Sequence, residues 1–450
     1  MPFGYTGSIL HVDLTEQKLT VEKPPEEFYR TYMGGGAMGM YYILKELKPG
    51  IDPLAPENIL TFMCSVVTGS PVSGQSRITV NAKSPMSGGI GDSQAGGFFP
   101  AELKFAGFDG IVIRGKSKKP VTLWIHNGEA ELRDASHLWG KVTGEVDAIL
   151  KDEVGDPKAQ VMQIGPAAEN GVRFSAVMSM ANRANGRTGM GLVMASKKLK
   201  AIVVRGKAKP AIADQKALTA LNRLGPKGME TNPDMSVGLL GTAGVVMFQN
   251  TFGTLPTRNY TEGQFENAEP ISGEKLAETI LKERDTCYAC IVRCKRVVEI
   301  KEGKYTADPL YGGPEYETVG ACGPTCGIGD LNAMARANEL CNAYMLDSIS
   351  TGATIAFAME CFEHGLIGLK DTGGLELRFG NADAILPMIE KIAYRQGLGN
   401  LLAEGTKRAA EVIGGDAPFF TIEVKGQELA MHDPRGKYFV ALGYAVTEIG

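Results

Sequence analysis

The feature that most constrains the fold is a change in sequence pattern near Pro210. Up to Lys209, short runs rich in β-branched residues alternate with glycine turns, a pattern typical of strands. The predicted strands are Ile9–Leu14, Ile59–Phe62, Ile78–Ala82, Ile111–Arg114, Val121–Ile125, Val161–Ile164 and Ala201–Arg205. Beyond Pro210, apolar residues recur at helical spacing. The predicted helices are Asp214–Leu224, Gly273–Arg284, Leu331–Met345, Thr351–His364, Ala382–Arg395 and Leu401–Val412.

These patterns predict an α+β protein organised in three parts. Residues 1–209 form a β-rich domain, residues 210–415 a mostly helical domain, and residues 416–450 the beginning of a third, incomplete domain. The stretch from Gly225 to Glu262 lacks steady periodicity and is predicted as a long loop region. Because no polar tail or cap closes the last part, we expect the chain to be truncated.

An internal repeat lies within the β-rich part. The segment Gly110–Pro120, with the sequence GIVIRGKSKKP, is echoed by Ala201–Pro210, with the sequence AIVVRGKAKP. Each copy combines an apolar strand with a basic turn. One pair of similar segments indicates two related halves, so we expect the domain to be duplicated.

Composition limits the classes of function. The 450 residues are 44% hydrophobic and 22% charged, which is typical of a globular protein, and a net charge of −4 argues against nucleic-acid binding. The segment Met1–Leu14 has no secretory pattern, and polar residues interrupt Met345–Phe362, so we predict a cytoplasmic protein without a membrane span. In that compartment, eight cysteines favour metal ligands or free thiols over disulfides.

Three cysteines form the sharpest local motif. Cys287, Cys290 and Cys294 follow a close Cys-x-x-Cys start, which suits three corners of an iron–sulfur cubane. Zinc and unmetallated thiols are the alternatives, since structural zinc sites also use close cysteine pairs. Cys322 and Cys326 are either a fourth ligand or packed thiols.

Several further motifs occur in one order along the chain. They are Gly34-Gly-Gly36, Ala101-Glu-Leu-Lys-Phe-Ala-Gly107, Arg133-Asp-Ala-Ser-His-Leu-Trp-Gly140, Asn182-Arg-Ala-Asn-Gly-Arg187, Gly313-Pro-Glu-Tyr-Glu317 and Asp433-Pro-Arg-Gly436. With the cysteine triplet, they resemble the aldehyde ferredoxin oxidoreductase family over essentially the whole chain. The resemblance implies a tungsten bis-pterin cofactor, with molybdenum as the second choice, and one [4Fe–4S] cluster. Family members run beyond position 450, and their fourth cluster cysteine lies there.

The resemblance also implies cofactor contacts in the β-rich part. Arg77 corresponds to the arginine that bridges pterin and cluster. Gln94 stands where the family has an asparagine beside the Mg²⁺ that links the pterin phosphates, and Arg183 and Ala184 match the second half of that site. Two adjacent glycines would let the backbone approach the cofactor closely; they are Gly96 and Gly97.

In the helical part, the family pterin motif Asp-x-x-Gly-Leu-Asp is Asn342-Ala-Tyr-Met-Leu-Asp347 here, so the first Asp and the Gly are replaced. Asp347 would still accept hydrogen bonds from the pterin. Asp433 and Arg435 are further cofactor candidates, with pairing across a turn as the alternative. The catalytic candidates are Glu317, which falls on the glutamate beside tungsten, and His432.

The function that the resemblance implies is oxidation of an aldehyde to a carboxylic acid, with electrons passed to ferredoxin or an electron-transfer subunit. The basic residues Arg293, Lys295 and Arg296 beside the triplet suit an acidic electron carrier or a solvated surface. A homodimer is compatible with these expectations. The alternatives are another carbonyl or acyl substrate, or an electron-transfer subunit without an active tungsten centre. The replacements at Asn342 and Met345 favour them, as does Val440, which stands where aldehyde-oxidising members of the family have a histidine beside the metal.

Overall fold

The computed structural model describes residues 3–232 and 236–447. The chain divides into two compact units, and each is built from three segments that are separated in the sequence. The first comprises Met1–Glu169, Ala176–Met235 and Thr286–Arg293, and the second comprises Asn170–Ser175, Ser236–Asp285 and Cys294–Gly450. The short segment with Cys287 and Cys290 therefore belongs to the first unit. Cys294 is the first residue of the last segment of the second unit.

The first unit contains two six-stranded sheets. The strands of the first sheet are β1 Ile9–Asp13, β2 Lys18–Glu22, β3 Leu60–Cys64, β4 Ile78–Lys83, β5 Ile90–Ala95 and β6 Gly110–Arg114. Those of the second are β7 Val121–His126, β8 Glu129–Asp134, β9 Gln160–Gln163, β10 Val177–Ser179, β11 Arg183–Asn185 and β12 Leu199–Arg205. All seven predicted strands are present, which confirms the β-rich first part.

The two sheets have the same topology. The first has the strand order β2-β1-β6-β3-β4-β5, and the second, read from its other edge, has the order β8-β7-β12-β9-β10-β11. In each sheet one pair is parallel, β1 with β6 and β7 with β12, and the other neighbours are antiparallel. The repeated sequence segments supply β6 and β12, which occupy equivalent places. The duplication inferred from the repeat is therefore visible in the fold.

Helices complete the layers of this unit. They are α1 Glu26–Tyr32, α2 Gly35–Glu46, α3 Phe99–Phe105, α4 Thr143–Glu153, α5 Pro166–Glu169, α6 Met190–Ser196 and α7 Gln215–Thr231. Strand residues alternate between two environments, as the pleat requires. Leu10 and Val12 of β1 join one core shared with the second sheet and with α3 and α6, whereas Ile9 packs with Tyr42 and Ile43 of α2. The helix α4 covers the second sheet in the same way, with Val146 and Leu150 against Val161 and Val203.

The second unit is mostly helical. Its helices are α8 Ser236–Leu240, α9 Val246–Thr251, α10 Gly273–Thr279, α11 Tyr316–Cys322, α12 Leu331–Tyr344, α13 Ser348–Glu363, α14 Leu369–Thr372, α15 Ala382–Ala393, α16 Leu398–Leu402, α17 Thr406–Ile413 and α18 Tyr438–Val446. Two short antiparallel pairs accompany them: β13 Leu281–Asp285 with β14 Lys295–Val298, and β15 Glu423–Val424 with β16 Gln427–Glu428. The α+β fold class is thus confirmed.

Three local predictions were wrong. The predicted helix Gly273–Arg284 ends at Thr279 and continues as strand β13. The predicted helix Leu401–Val412 is two helices, because Gly405 has a φ of 86° and begins α17 as its N-cap. The region predicted as a loop contains the end of α7, with Pro226 inside it, as well as α8 and α9. Within residues 3–232 and 236–447, no helix is both long and apolar enough to cross a bilayer.

Candidate functional site

The segment Thr286–Arg293 is held within the first unit by hydrogen bonds to its backbone. The Tyr288 N–H donates to the Gly97 carbonyl at 3.2 Å, and Arg183 Nη2 donates to the Thr286 carbonyl at 2.9 Å. The Thr286 hydroxyl closes the segment on itself by donating to the Cys290 carbonyl at 2.7 Å. The structure therefore brings the start of the cysteine segment, Thr286–Tyr288, next to Gly97 and Arg183, two residues predicted in the cofactor site.

Gly96 is fitted to the Cys287 sulfur. A Cβ atom on Gly96 would lie 2.8 Å from Cys287 Sγ and 3.4 Å from the Ser76 carbonyl oxygen, so any side chain would push the sulfur away. Gly97 has a φ of 102°, which favours glycine, and its carbonyl also accepts a hydrogen bond from the Ser76 hydroxyl at 2.7 Å. The two glycines therefore shape a cradle for the cysteine segment.

The Cys290 sulfur lies among hydrogen-bond donors. Burial alone would raise the pKa of this thiol, but the backbone N–H of Val292, the Ser73 hydroxyl and the N–H groups of Gly74 and Arg293 outweigh it, so that the pKa is lowered. The Ser73 oxygen lies 3.7 Å from Cys290 Sγ. A thiolate surrounded by donors is the form in which cysteine binds iron or zinc. The residues present therefore fit a metal-bound sulfur at this position.

The five cysteines outside the triplet are packed thiols. Cys322, Cys326 and Cys341 are fully buried, and burial raises the pKa of each thiol above its ordinary value. The Cys326 sulfur donates to the carbonyls of Ala321 and Gly352, both at 3.4 Å, as a neutral thiol does. The suggestion that Cys322 or Cys326 is a fourth ligand is therefore not supported. Among the described residues, no three His, Cys, Asp or Glu side chains are arranged around one metal ion.

Two of the three residues predicted at the Mg²⁺ site, Gln94 and Ala184, occupy equivalent positions in the duplicated sheets. Gln94 of β5 pairs with Thr79, the second residue of β4, and Ala184 of β11 pairs with Met178, the second residue of β10. Both are exposed. The edge strands are tied together because Asn185 Nδ2 donates to the Ser93 carbonyl at 2.7 Å. The two predicted halves of the site thus lie at equivalent positions of the two sheets of the first unit.

Two arginines lie near these strands. Arg77 directly precedes β4 and is exposed, while its carbonyl accepts a hydrogen bond from the Thr68 hydroxyl at 3.0 Å. Arg183 is 2% exposed, and its Nη1 donates to Asn182 Oδ1 at 2.5 Å. The exposed guanidinium suits an anionic ligand, whereas the buried one also braces the cysteine segment through Thr286.

The altered pterin motif forms the corner between α12 and α13 in the second unit. Met345 has a φ of 69° and ends α12 in the left-handed conformation, at the position where the family motif has glycine. Asp347 is buried, and its carboxylate accepts the Ile349 N–H at 3.0 Å as the N-cap of α13. Met345 therefore has the left-handed backbone conformation that glycine adopts most readily.

Asp433 and Arg435 pair with each other. Arg435 Nη2 lies 2.6 Å from Asp433 Oδ2, and the same nitrogen donates to the Tyr260 carbonyl at 2.6 Å. Asp433 is 1% exposed, while the Arg435 side chain is 61% exposed. The structure therefore contains the ion pair across a turn that was the alternative to a cofactor contact for these two residues.

The two catalytic candidates meet in the second unit. His432 Nε2 lies 3.2 Å from Glu317 Oε1, and the Met431 N–H donates to Glu317 Oε2 at 2.8 Å. The Tyr316 ring, 5.2 Å from the imidazole, packs beside this pair. Both side chains remain about one-third exposed, at 32% for His432 and 29% for Glu317. A carboxylate and an imidazole in contact can hold and transfer protons.

The surroundings of His432 define which nitrogen carries its proton. Gln249 Oε1 accepts from the Thr254 hydroxyl at 2.5 Å and from Lys437 Nζ at 2.6 Å, so the amide nitrogen faces His432 Nδ1 at 3.0 Å. An amide nitrogen only donates, hence Nδ1 accepts and, in a neutral imidazole, Nε2 carries the hydrogen. Burial lowers the pKa of Lys437, an effect that the nearby Glu317 carboxylate partly offsets.

Close helix packing brings Glu317 and His432 together. A Cβ atom on Gly320 of α11 would lie 2.7 Å from Met431 Cβ, and one on Gly352 of α13 would lie 2.5 Å from the Ala321 carbonyl. The chain before His432 therefore lies directly on α11. The sequence did not indicate Ser73, Gln249 or Lys437, because each acts only through a residue distant in the chain.

Comparison with known proteins identifies the family. The description "Aldehyde ferredoxin oxidoreductase, N-terminal domain" matches residues 9–206, and "Aldehyde ferredoxin oxidoreductase, domains 2 & 3" matches residues 221–450. The tungsten-containing aldehyde ferredoxin oxidoreductase of Pyrococcus abyssi is 44% identical over 453 residues, which cover 100% of this chain and 74% of that protein. The protein of the same name from Pyrococcus horikoshii is 43% identical with the same coverage.

A solved structure supports the same relationship. It is the active site complex BamBC of benzoyl coenzyme A reductase in complex with 1,5-dienoyl-CoA, with a TM-score of 0.84 and 29% identity. The match covers 96% of this chain and 67% of that chain. The motifs, the duplicated sheets and both matching descriptions agree, and the chain belongs to the aldehyde ferredoxin oxidoreductase family.

Proposed function

We propose that this protein oxidises an aldehyde to a carboxylic acid and passes the electrons through a [4Fe–4S] cluster to ferredoxin. The observation that carries the proposal is the 44% identity, across the whole chain, to a protein named tungsten-containing aldehyde ferredoxin oxidoreductase. In the overall reaction, an aldehyde and water give a carboxylic acid, two protons and two electrons. A tungsten bis-pterin cofactor, when bound, supplies the two-electron chemistry.

Cys287, Cys290 and Cys294 would hold the cluster. The lowered pKa of Cys290 and the cradle at Gly96 support this assignment for the first two. A cluster of this kind takes one electron at a time, so two ferredoxin molecules would be reduced for each aldehyde. Of the basic residues beside the triplet, Arg296 is 3% exposed and donates to the carbonyls of Leu239 and Gly238, and Lys295 pairs with Glu315 at 2.6 Å, so neither supports docking of an acidic carrier.

The cofactor would be held by arginines, carboxylates and backbone. Arg77 and Arg183 would neutralise its negative charge, since a guanidinium stays charged and donates in a fixed fork. Oxygen atoms at the equivalent positions Gln94 and Ala184 would bind Mg²⁺, a cation that prefers oxygen ligands. The remaining contacts would come from Asp347, Asp433 and Arg435, whose existing hydrogen bonds fix their side chains in place.

Glu317 would accept a proton released during oxidation. His432 Nε2 lies 3.2 Å from Glu317 Oε1, and the Met431 N–H donates to Glu317 Oε2 at 2.8 Å, which holds the carboxylate in position. Because Gln249 and Lys437 present donors to Nδ1, the hydrogen of a neutral His432 is on Nε2. The carboxylate is therefore the proton-accepting member of the pair.

The proposal is tested on full-length protein purified without oxygen. We expect tungsten, about four iron atoms per chain for one [4Fe–4S] cluster, extractable pterin, and aldehyde-dependent reduction of ferredoxin. A loaded cluster with neither tungsten nor molybdenum would instead identify an electron-transfer subunit. An iron-free protein that binds zinc would identify the zinc alternative.

An acyl coenzyme A thioester is the second candidate substrate. The structural similarity to the active site complex of benzoyl coenzyme A reductase favours it. Assays with aldehydes and with aromatic acyl-CoA thioesters, run on the same preparation, separate the two. A cytoplasmic location and a homodimer stay predictions.

A further inference from the structure

We propose that the Ser73 hydroxyl donates a hydrogen bond to the Cys290 ligand sulfur and thereby raises the reduction potential of the cluster. This inference rests on the proposal that the cysteine triplet holds a [4Fe–4S] cluster. Ser73 is thus assigned as a residue that tunes electron transfer and has no part in the oxidation chemistry itself.

The geometry around the Ser73 hydroxyl gives its proton a direction. The Ile291 N–H donates to Ser73 Oγ at 3.2 Å, and Ser73 Oγ lies 3.7 Å from Cys290 Sγ. A hydroxyl has one proton and two lone pairs. Because Ile291 occupies a lone pair, the proton is available to the sulfur.

The loop around Ser73 is held independently of the cysteine segment. Gln75 accepts the Gly69 N–H at 2.9 Å and donates to the Ser70 carbonyl at 2.7 Å. The Thr68 hydroxyl donates to the Arg77 carbonyl at 3.0 Å and closes the same loop. The serine is therefore positioned by the loop and not by the cluster ligands.

Hydrogen bonds to cysteine sulfur stabilise the more negative state of a cluster. The added electron increases the negative charge on the sulfur atoms, and a donor stabilises that charge, which raises the potential. The backbone N–H groups of Gly74, Val292 and Arg293 also face Cys290, but they cannot be removed by side-chain substitution. Ser73 is the member of this set that mutation can test.

The experiment is an EPR-monitored redox titration of the full-length protein. Ser73→Ala is compared with Ser73→Thr, which keeps the hydroxyl, and with Ser70→Ala, whose hydroxyl donates to the Val67 carbonyl at 2.7 Å. We expect a more negative potential for S73A alone. We expect at most a tenfold change in the equilibrium constant for reduction of the cluster. For a one-electron couple, a tenfold change corresponds to about 59 mV.

The EPR signal comes only from molecules that hold the cluster, so partial loss of iron does not hide the shift in reduction potential. If S73A loses the cluster completely, Ser73→Gly removes the same hydroxyl and has the same expected shift. A loaded cluster with the wild-type potential in the Ala or Gly variant overturns the role of Ser73 but not the cluster. Absence of a cluster signal from the wild-type protein overturns both.

Discussion

Glu317 Oε1 and His432 Nε2 are 3.2 Å apart, and the pair joins two regions that are distant in the sequence. The Met431 N–H on Glu317 Oε2 and the Gln249 amide on His432 Nδ1 fix the two ends of the pair. The Glu317 carboxylate therefore contacts both the Met431 N–H and the His432 imidazole. This arrangement gives the proposed oxidation its acid–base group without a further residue.

Replacing Glu317 by glutamine removes the proton acceptor and keeps the side-chain shape. We expect kcat for aldehyde oxidation to fall by about 10²- to 10⁴-fold, the usual contribution of a general base, with a smaller change in KM. Glu278→Gln in α10 is the matched control, because Glu278 is exposed and its nearest cation is Lys275 at 3.5 Å. A kcat for E317Q close to the wild-type value would refute the assigned role.

Gly320→Ala tests the packing that brings His432 to Glu317. The added Cβ would lie 2.7 Å from Met431 Cβ and Cγ, and overpacking of this kind costs about 1–3 kcal/mol. Thermal unfolding should show a lower Tm. Gly443→Ala in α18 is the control, since a Cβ there meets nothing within 4 Å and alanine raises helix propensity. Equal Tm values for the two variants would contradict the proposed contact.

Gly96→Ala tests the cradle for Cys287. The new methyl group would lie 2.8 Å from Cys287 Sγ, so we expect less iron per chain and weaker cluster absorbance than in the wild-type protein. The control is Gly89→Ala, where a Cβ has an ordinary 3.6 Å contact with the Ser87 hydroxyl. The cradle has no role in cluster binding if G96A and G89A bind the same amount of iron.

Lys197 gives the stability of the first unit a pH dependence. Burial lowers its pKa from 10.5 to about 8, although its Nζ donates to the carbonyls of Pro56 and Gly115. Between those pKa values the unfolded chain binds more protons than the folded chain, so this residue makes stability rise with pH from about 8 to 10.5.

Lys197→Met removes that contribution. Denaturant unfolding at several pH values should show a smaller rise in the free energy of unfolding above pH 8 for K197M than for wild type. Lys116→Met, at an exposed lysine, should keep the wild-type slope. An unchanged slope in K197M would show that Lys197 titrates normally in the folded protein.

The sequence predicted the sheets well because their strands carry long apolar runs. The repeat at β6 and β12 also indicated the duplication before the strand order showed it. Five strands of the two sheets were missed: β2, β5, β8, β10 and β11. The strands β10 and β11 have only three residues each, and β2 and β8 are mostly exposed or half-buried. The strand β13 was mistaken for a helix, because its exposed charged residues have no alternating apolar pattern.

Residues of the candidate site were predictable only where they belong to a recognisable sequence motif. The cysteine triplet and Glu317 stood out by spacing or by resemblance. Ser73, Gln249 and Lys437 did not, because an ordinary serine, glutamine or lysine gains its role from a partner that only the fold supplies. Met345 shows the converse, since the sequence indicates a lost glycine while the Met345 backbone has the left-handed conformation that favours glycine.

The most direct test of the whole account is aldehyde-driven reduction of the cluster. Full-length protein purified without oxygen is mixed with an aldehyde, in the absence of ferredoxin, and its EPR spectrum is recorded. We predict the signal of a reduced [4Fe–4S] cluster in the wild-type protein and its loss in E317Q, in which dithionite still reduces the cluster. A cluster that dithionite reduces but no aldehyde reduces in the wild-type protein would contradict the account.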